Sequence, residues 1–517
     1  MARPVRRILA TAAAALIAAG AVGGALVVRS TRGLTAAWRW DPDTAAEDRR
    51  LVEAAVARIP PRQGTGPDVV LVVLDTVRRD RLETYGNPVP TMPRLAAWAR
   101  GARVWTRATA ESPWTLPSHA SLFTGLPSAL HGAEGSALEG RVPEGGSREA
   151  RRRRMRRLGL ERPLPDAART VAEHLAATDR ITLGIAGNRA YLQGYWGLSQ
   201  GFDAWLCDGF GRAPDGLPYV RGDRITAAAL TAVDALRARA APRPPLFLFV
   251  NYTDAHVPYV PRRGFVRNPG RLTRRWRTGD AREELVARVL AREERLPAAA
   301  RAGWLEAYDA ELRFLDAQVG DLLDGLATRG IGDGAWILVT SDHGEYFGEH
   351  DLVEHSKDVY EEALAIPLLA RGPGIAPGSD PTPVQLGDVG RWIVEWAGAE
   401  PLPQAPDDGG LVVSELYGSR IRDLSHPAYG ARFDRVRRAF RREDHVVILG
   451  SDGSSEAYDL AADPGETADR SAEPWAADLR AEAEAWIARN APVEGPPAAA
   501  PMPEETRRAL EALGYAD

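Results

Sequence analysis

Four apolar stretches along the chain have the length and composition of buried β-strands. They are rich in Val, Leu and Ile and too short for isolated helices: DVVLVVLDT at 68–76, ITLGIAG at 181–187, PLFLFVNYTD at 245–254 and AWILVTSDHG at 335–344. Continuous apolar runs of this kind are typical of strands covered on both faces of a parallel sheet. Helical patterns separate them, the longest with apolar residues three and four apart over 304–327. The alternation predicts an α/β fold with a mostly parallel central sheet flanked by helices.

The pattern changes beyond Gly387. Residues 432–460 alternate in short runs around a Gly-Ser turn, which is typical of a small antiparallel sheet. Residues 491–503 are rich in Pro and Ala and precede a short helical pattern at the C terminus. Because 517 residues are many for one domain, we predict a larger domain over 68–386 and a smaller C-terminal α+β subdomain over 387–517.

The N-terminal residues have the pattern of a membrane-spanning segment. Three arginines near the start precede an apolar stretch over 8–28. Its length matches the ~20 residues of a spanning helix better than the shorter core of a cleaved signal peptide. The basic flank favours a cytoplasmic N terminus. We therefore predict a membrane anchor at 1–29, a tether at 30–67 and an extracytoplasmic catalytic domain, with signal cleavage and a secreted or periplasmic protein as the alternative.

Charge and cysteine content narrow the classes of partner. The formal net charge of −5 gives no reason to expect a nucleic acid, whose binding normally needs a basic face. The arginine run at 151–157 is either a solvated loop or a contact for an anionic substrate or lipid headgroups. The single cysteine, Cys207, excludes an internal disulfide. It therefore does not indicate whether the protein is exported from the cytoplasm. No oligomeric state follows from the sequence.

Polar residues follow three of the predicted strands at their carboxyl ends. They are Asp75, Asp254, Asp342 and His343, and the carboxyl ends of parallel strands meet at one edge of the sheet. A lone Asp after a strand is also a common turn residue, whereas an adjacent carboxylate and imidazole can both bind a divalent cation. Oxygen ligands with one imidazole suit Ca, Mg, Mn or Zn. The sequence therefore predicts one divalent ion without choosing among these four.

Several segments, in order along the chain, resemble the sulfatase family of the alkaline phosphatase superfamily. The segment TLPSHASLFTG at 115–125 resembles the family signature that surrounds the nucleophile, and VVLDTVRRDRL, GLSQGFD, NYTDAHVPYVP, TSDHGEYFGEH, KDVYEEALAIPLLARGPG, EAYDLAADPGE and LEALGY resemble further family segments. The resemblance runs from about Asp68 to the C terminus. It implies a large alkaline-phosphatase-like domain whose substrate is an anionic ester.

Matched position by position, the resemblance implies roles for individual residues. Thr115 stands where the family has its nucleophile, and His256 and Lys357 match residues that contact the transferred group or its leaving group. The implied set is Thr115, His119, His256 and Lys357 as catalytic residues, His355 and Asn188 as substrate-binding residues, and Asp75, Thr115, Asp342 and His343 as metal ligands. In the two-zinc branch of the superfamily a second metal uses an Asp-x-x-x-His pair, but Asp254 and His256 are only two residues apart, so we expect one metal.

Two departures from the family pattern change the expected chemistry. A sulfatase nucleophile is a formylglycine made from Cys or Ser, with Arg two places after the Pro, whereas here the two positions hold Thr115 and His119. We therefore expect no formylglycine. A sulfated Thr cannot release sulfate by collapsing to an aldehyde, but a phosphorylated Thr can be resolved by attack of water or an alcohol at phosphorus. Threonine thus favours a hydrolase or transferase of phosphodiester or phosphonate type, activated by the metal.

Other interpretations stay open at this point. Pro117 and Ser118 could begin a helix, whose N-terminus favours a bound anion, so that the nucleophile segment is also a helix start. A true sulfuric ester hydrolase is the alternative within the enzyme class. A catalytically inactive module that binds its ligand through the same fold is the alternative from another class.

Overall fold

The computed structural model describes residues 42–135, 161–207, 219–239, 243–272, 280–403, 409–490, 492 and 502–512. The predicted anchor at 1–29 and the arginine run at 151–157 lie outside these ranges. Within them, no helix is both long and apolar enough to cross a bilayer.

The described residues alternate between strands and helices along the chain. The strands are β1 Val69–Leu74, β2 Arg103–Thr109, β3 Ile181–Ala186, β4 Ala204–Leu206, β5 Leu246–Tyr252, β6 Trp336–Thr340, β7 Tyr346–Phe347, β8 Val353–Glu354, β9 Leu368–Arg371, β10 Gly378–Gln385, β11 Val412–Leu416, β12 Arg437–Arg442, β13 His445–Gly450 and β14 Ser455–Asp459. The helices are α1 Pro42–Arg58, α2 Pro93–Ala99, α3 Thr115–Thr124, α4 Ser128–His131, α5 Val171–Ala176, α6 Gly222–Arg239, α7 Asp280–Leu290, α8 Ala298–Thr328, α9 Glu361–Leu364, α10 Leu386–Trp396, α11 Ile421–Leu424, α12 Pro474–Arg489 and α13 Glu504–Ala512.

A central sheet of eight strands organises the larger part of the chain. Its order is β10-β2-β9-β6-β1-β5-β3-β4, and all neighbours are parallel except β9, which is antiparallel to β2 and to β6. The four strands predicted from the sequence are β6, β1, β5 and β3, which lie side by side in the middle. All residues of β1, β3 and β5 are buried, because helices cover both faces. The predicted mostly parallel α/β fold is confirmed.

A second sheet forms the smaller C-terminal part. The strands β11 to β14 pair in sequence order and antiparallel, which confirms the predicted small antiparallel sheet, and α12 packs on it through Trp486 against Phe440. The domain boundaries stay a prediction. Gly387 lies in the first turn of α10, which packs against α3 and α5 of the larger part.

The contact between α10 and α3 matters for function because α3 begins at Thr115. The two helices approach so closely at Gly390 that an added Cβ would lie 2.1 Å from the Leu122 carbonyl oxygen. That atom belongs to the backbone of α3 and cannot rotate away. The absence of a side chain at Gly390 therefore fixes the seating of α3.

We predict that Gly390→Ala lowers the free energy of unfolding by about 1–3 kcal/mol, the usual cost of overpacking, even though alanine favours a helix. Gly334→Ala is the matched control, because nothing lies within 4 Å of its added Cβ. Denaturant unfolding of both variants measures the difference. Equal stability of the two variants would contradict the proposed close contact.

Candidate active site

Two neighbouring strands bring three of the four predicted metal ligands together. Asp75 follows β1 and the pair Asp342-His343 follows β6, and β1 and β6 are paired in parallel register up to Val73 and Thr340. One donor atom from each of the three side chains lies within 4.8 Å of the other two, and all three side chains are buried. Parallel pairing thus makes residues more than 260 positions apart into one cluster.

The electrostatics of this cluster fit a divalent cation. Burial and the charge of Asp342 raise the pKa of Asp75 well above its usual range, and burial raises the pKa of Asp342 to about 7. The Asp75 Oδ1 and Asp342 Oδ2 atoms have no hydrogen-bond partner in the described part of the chain. Buried carboxylates with unbonded oxygens are costly unless a cation accompanies them.

His343 presents the correct nitrogen to this cluster. Its Nδ1–H donates a hydrogen bond to the Gly344 carbonyl oxygen at 2.9 Å, so that in the neutral ring Nε2 carries the lone pair. That Nε2 lies 3.5 Å from Asp342 Oδ2 and 3.9 Å from Asp75 Oδ1. Burial lowers the pKa of His343, which keeps the ring neutral, as a metal ligand must be. The donor set of two carboxylates and one imidazole therefore fits Ca, Mg, Mn or Zn.

Thr115 lies at the start of α3 with its hydroxyl directed into this cluster. Its Oγ1 is 3.5 Å from His343 Nε2, and the residue is completely buried. Helix α3 begins at Thr115 itself, two residues before Pro117. The nucleophile segment is therefore also a helix start, and the two interpretations of the sequence are compatible.

Asn188, predicted to bind substrate, contacts the candidate nucleophile and a candidate metal ligand instead. Its Oδ1 accepts hydrogen bonds from the backbone N–H groups of Ala190 and Tyr191, both at 3.0 Å. This anchoring turns its Nδ2 towards Asp75 Oδ2 at 2.7 Å and Thr115 Oγ1 at 3.4 Å. Asn188 is therefore placed to orient the two side chains, and its predicted contact with substrate stays a prediction.

His119 occupies the position of the family's arginine but provides no positive charge. Its Nδ1–H donates to the Thr115 carbonyl oxygen at 2.9 Å and lies 3.6 Å from Asp342 Oδ2. Its ring packs edge-on against Phe123 and Phe249. Burial lowers its pKa to about 4, so the ring is neutral at pH 7. The substitution of arginine removes one full charge from the site.

The remaining predicted residues line the side of the cluster next to His343. The ring of His355 lies 4.7 Å from the ring of His343 and 4.8 Å from that of His256, between ring centroids. Burial lowers the pKa of His256 to about 3 and that of His355 well below its usual range. Lys357 Nζ contacts the His355 carbonyl oxygen at 3.3 Å. The structure thus brings this group to the candidate metal cluster.

Lys357 is the only lysine in the sequence, which uses arginine at every other basic position. It is completely buried at the side chain and pairs with Asp423 at 2.5 Å. Burial, assisted by the charge of Arg420, lowers its pKa to about 8. An arginine could not titrate near neutral pH. The single amine of the chain therefore lies where its charge can change under physiological conditions.

The sequence did not predict Glu345 and Asp423, which are the partners of His355 and Lys357, and it suggested a different position for Asp254. Glu345 Oε1 accepts a hydrogen bond from His355 Nδ1–H at 3.2 Å, and its proximity to Asp342 in the sequence was the available signal. Asp423 lies in the C-terminal part, and no local pattern marks it. The expectation that Asp254 would join the strand-end cluster was wrong, because Asp254 forms an ion pair with Arg262 at 2.7 Å.

Comparison with known proteins gives one family. A protein-family model described as Sulfatase matches residues 67–399, more than half of the chain. The "Uncharacterized sulfatase YidJ" of Escherichia coli (strain K12) is 30% identical over 157 residues, which are 30% of this chain and 31% of that protein. The choline-sulfatase of Rhizobium meliloti (strain 1021) is 28% identical over 243 residues, 43% of this chain and 45% of that protein. The matches span less than half the length of either relative.

A solved structure with a different named activity shares the fold. The phosphonate monoester hydrolase of Agrobacterium radiobacter superposes with a TM-score of 0.58 at 18% identity, covering 82% of this chain and 95% of that chain. At this identity the likeness concerns the fold alone. The family model, the ordered motifs and the fold agree, and the chain belongs to the sulfatase family of the alkaline phosphatase superfamily.

Proposed function

We propose that the protein is a metal-dependent hydrolase or transferase that moves a phosphoryl-type group through Thr115, from a phosphodiester or phosphonate ester substrate. The observation that carries the proposal is the buried Thr115 hydroxyl beside His343 and Asn188. A threonine at this position cannot supply the formylglycine of sulfatases. In the sequence motif, Thr115 corresponds to the position of the family's nucleophile.

The charges around Thr115 support a substrate with one negative charge. Asp75 and Asp342 would offset a divalent cation, and the histidines of the site are neutral at pH 7. The charge of Lys357 is compensated by Asp423. Without the family's arginine at position 119, the pocket has little excess positive charge for a dianionic monoester. A phosphodiester or a phosphonate monoester, each with one charge on the reacting group, fits this balance better.

Asp75, Asp342 and His343, with Thr115, would hold the divalent ion. When bound, such an ion stabilises negative charge on the reacting oxygens. The Thr115 hydroxyl lies 3.5 Å from His343 Nε2, and the neighbouring Asp342 carboxylate, which has an oxygen without a hydrogen-bond partner in the described residues, would take its proton as the Oγ–P bond forms. The Lys357 ammonium would give a proton to the leaving oxygen as the P–O bond breaks. Water would then attack phosphorus, losing a proton to His256 Nε2, while the Thr115 oxygen departs and recovers its proton from Asp342. Loss of the His256 proton to solvent and uptake of one by Lys357 would restore the starting state.

A sulfuric ester hydrolase is the second candidate. The similarity to the choline-sulfatase of Rhizobium meliloti favours it. Release of sulfate from Thr115 would require a second attack at sulfur, because threonine lacks the diol of formylglycine. A panel of phosphodiester, phosphonate, phosphomonoester and sulfate esters separates the two candidates. Location outside the cytoplasmic membrane stays a prediction that accompanies this function.

Replacement of Thr115 separates threonine chemistry from the sulfatase mechanism. We expect a phosphorylated enzyme on Thr115 during turnover, detected by mass spectrometry of acid-quenched protein. Thr115→Ala should lower kcat by about three orders of magnitude or more, equivalent to about 4 kcal/mol of transition-state stabilisation. Thr115→Ser should retain much of the activity, because the hydroxyl remains. An adduct on Ser118, or undiminished turnover in Thr115→Ala, would remove Thr115 from the mechanism.

Asp342→Asn tests the metal ligands. We expect this variant to lose tightly bound divalent cation and activity together, because the neutral amide is a weaker ligand and leaves the charge of the ion less compensated. Asp333→Asn, an exposed position in a turn, is the control and should retain both. Elemental analysis and circular dichroism of the purified variants measure metal content and folding. Full metal content at this cluster in folded Asp342→Asn protein would disprove the ligand assignment.

The pH profile tests the role of Lys357. A general acid acts in its protonated form, so kcat should fall as the pH rises through about 8, the lowered pKa of this group. The charged groups that face its ammonium are Asp423, Glu354 and Arg420. Lys357→Ala should lose about 10²–10⁴-fold in rate and the alkaline limb, whereas Lys357→Arg should move that limb to higher pH.

Because Lys357 is the only lysine, protein labelled with ¹⁵N-lysine gives a single side-chain ammonium signal. Its titration by NMR reports the pKa directly. A value near the ordinary 10.5, or an alkaline limb unchanged in Lys357→Ala, would contradict the assignment of Lys357 as the acid.

A further inference from the structure

A second group of metal-ligating side chains lies apart from the active site. His350 lies in the short 3₁₀ segment Glu349–Asp351, Glu362 in the first turn of α9, and Glu466 in the turn that follows β14. One donor atom from each lies within 4.8 Å of the other two. The His350 Nε2 and Glu362 Oε2 atoms are 3.3 Å apart. Three distant segments of the chain thus meet at one point.

The three side chains are held away from solvent. Glu466 is 2% exposed, and the side chains of His350 and Glu362 are each 11% exposed. In the described ranges, the buried His350 Nε2 and Glu362 Oε2 atoms form no hydrogen bond. Burial and the charge of Glu362 raise the pKa of Glu466 well above its usual range. Two carboxylates share a site that water barely reaches.

The charges of Arg78 and Arg441 act on Glu362 and Glu466, respectively, but only from beyond ion-pair distance. Within the part of the chain that the structure describes, neither Glu362 nor Glu466 forms an ion pair with an arginine or a lysine. The nearby Arg78 pairs with Asp80 and Glu349, and Arg441 pairs with Glu361. Buried carboxylates without a direct ion pair to an arginine or lysine are costly, and a bound cation would lower that cost.

The local geometry holds the donor atoms in place. His350 stacks on Tyr360 with ring centroids 3.7 Å apart and planes 6° from parallel. The Glu361 N–H donates to Glu466 Oε2 at 2.7 Å. His350 and Glu466 both adopt positive φ, +54° and +49°, a conformation that side-chain-bearing residues rarely take. These contacts orient an imidazole and a carboxylate towards Glu362.

One of the three residues, Glu362, borders a cavity. The cavity has a volume of about 350 Å³ and opens at the surface. Its wall also carries the acidic residues Glu361, Glu443 and Asp444, together with the arginines Arg78, Arg79, Arg107 and Arg441.

We propose that His350, Glu362 and Glu466 bind one divalent cation of the class that accepts both imidazole and carboxylate, Zn²⁺ or Mn²⁺. Three protein ligands, one of them histidine, are enough for such an ion. Glu362 is joined to the active-site loop through its carbonyl oxygen, which accepts a hydrogen bond from the Glu345 N–H at 3.1 Å. Through Glu466, the ion would connect the C-terminal part to the segment that follows Asp342 and His343. This site is separate from the Asp75 cluster and does not depend on the proposed reaction.

Metal stoichiometry tests the proposal. The purified full-length protein is stripped with EDTA, incubated with Zn²⁺ or Mn²⁺, desalted and analysed for metal content. We expect His350→Gln and Glu466→Gln each to hold one equivalent less than the unchanged protein and to lose most of the rise in melting temperature that the ion produces. Asp342→Asn should lose the ion of the active site instead. The double variant His350→Gln/Asp342→Asn should therefore lose two equivalents of metal. Glu443→Gln, which alters the cavity wall alone, should lose none.

Two outcomes would overturn the proposal. One is full metal content in both His350→Gln and Glu466→Gln. The other is that the protein without substitutions binds only one equivalent of metal and that Asp342→Asn removes it. In that case a His350–Glu362 ion pair and a protonated Glu466 would account for the cluster. If Glu466→Gln does not fold, His350→Gln gives the same test at a less buried position, and circular dichroism checks its folding.

Discussion

The site depends on the parallel pairing of β1 and β6, which places two buried carboxylates side by side. Asp75 and Asp342 cannot share this position as bare anions without a large electrostatic cost. A divalent cation bound between them would offset this cost. Asn188, His343 and the N-terminus of α3 all assemble around this pair. The position of Thr115 therefore follows from the strand register and from the seating of α3 against α10.

The charges on the other side of the site come from the C-terminal part of the chain. Lys357 lies in the larger part, but its counter-ion Asp423 belongs to α11. Asp423 in turn pairs with Arg420, and Arg420 pairs with Glu354. This alternation of charges crosses between the two parts of the chain. The C-terminal part thus contributes to the site, because its Asp423 holds the ammonium group of the only lysine in place.

The sequence was most informative where one strand or one short motif carries the signal. Continuous apolar runs identified the four central strands, and TSDHG identified Asp342 and His343 directly. Contacts between distant segments could not be predicted in this way. Asp423 and Glu466 lie on turns and short helices with no periodic pattern, and only the tertiary fold brings them to Lys357 and Glu362. At Asp254 the local pattern gave a signal that the tertiary structure does not follow. Its strand-end position suggested a role in the cluster, but it pairs with Arg262.

The backbone at Thr76 shows how far this site departs from its family. In the resemblance to the sulfatase family, Thr76 replaces the second acid of the usual Asp-Asp pair. The structure gives Thr76 a φ of +61°, with its N–H donating to Asp342 Oδ1 at 3.1 Å. A β-branched residue is poorly suited to that left-handed conformation, whereas aspartate tolerates it better. Position 76 thus has a left-handed backbone conformation that suits aspartate, but the residue there is threonine. A divalent ion held by Asp75, Asp342 and His343 would have one anionic ligand fewer, and a less neutralised ion would attract electrons from a bound oxygen more strongly.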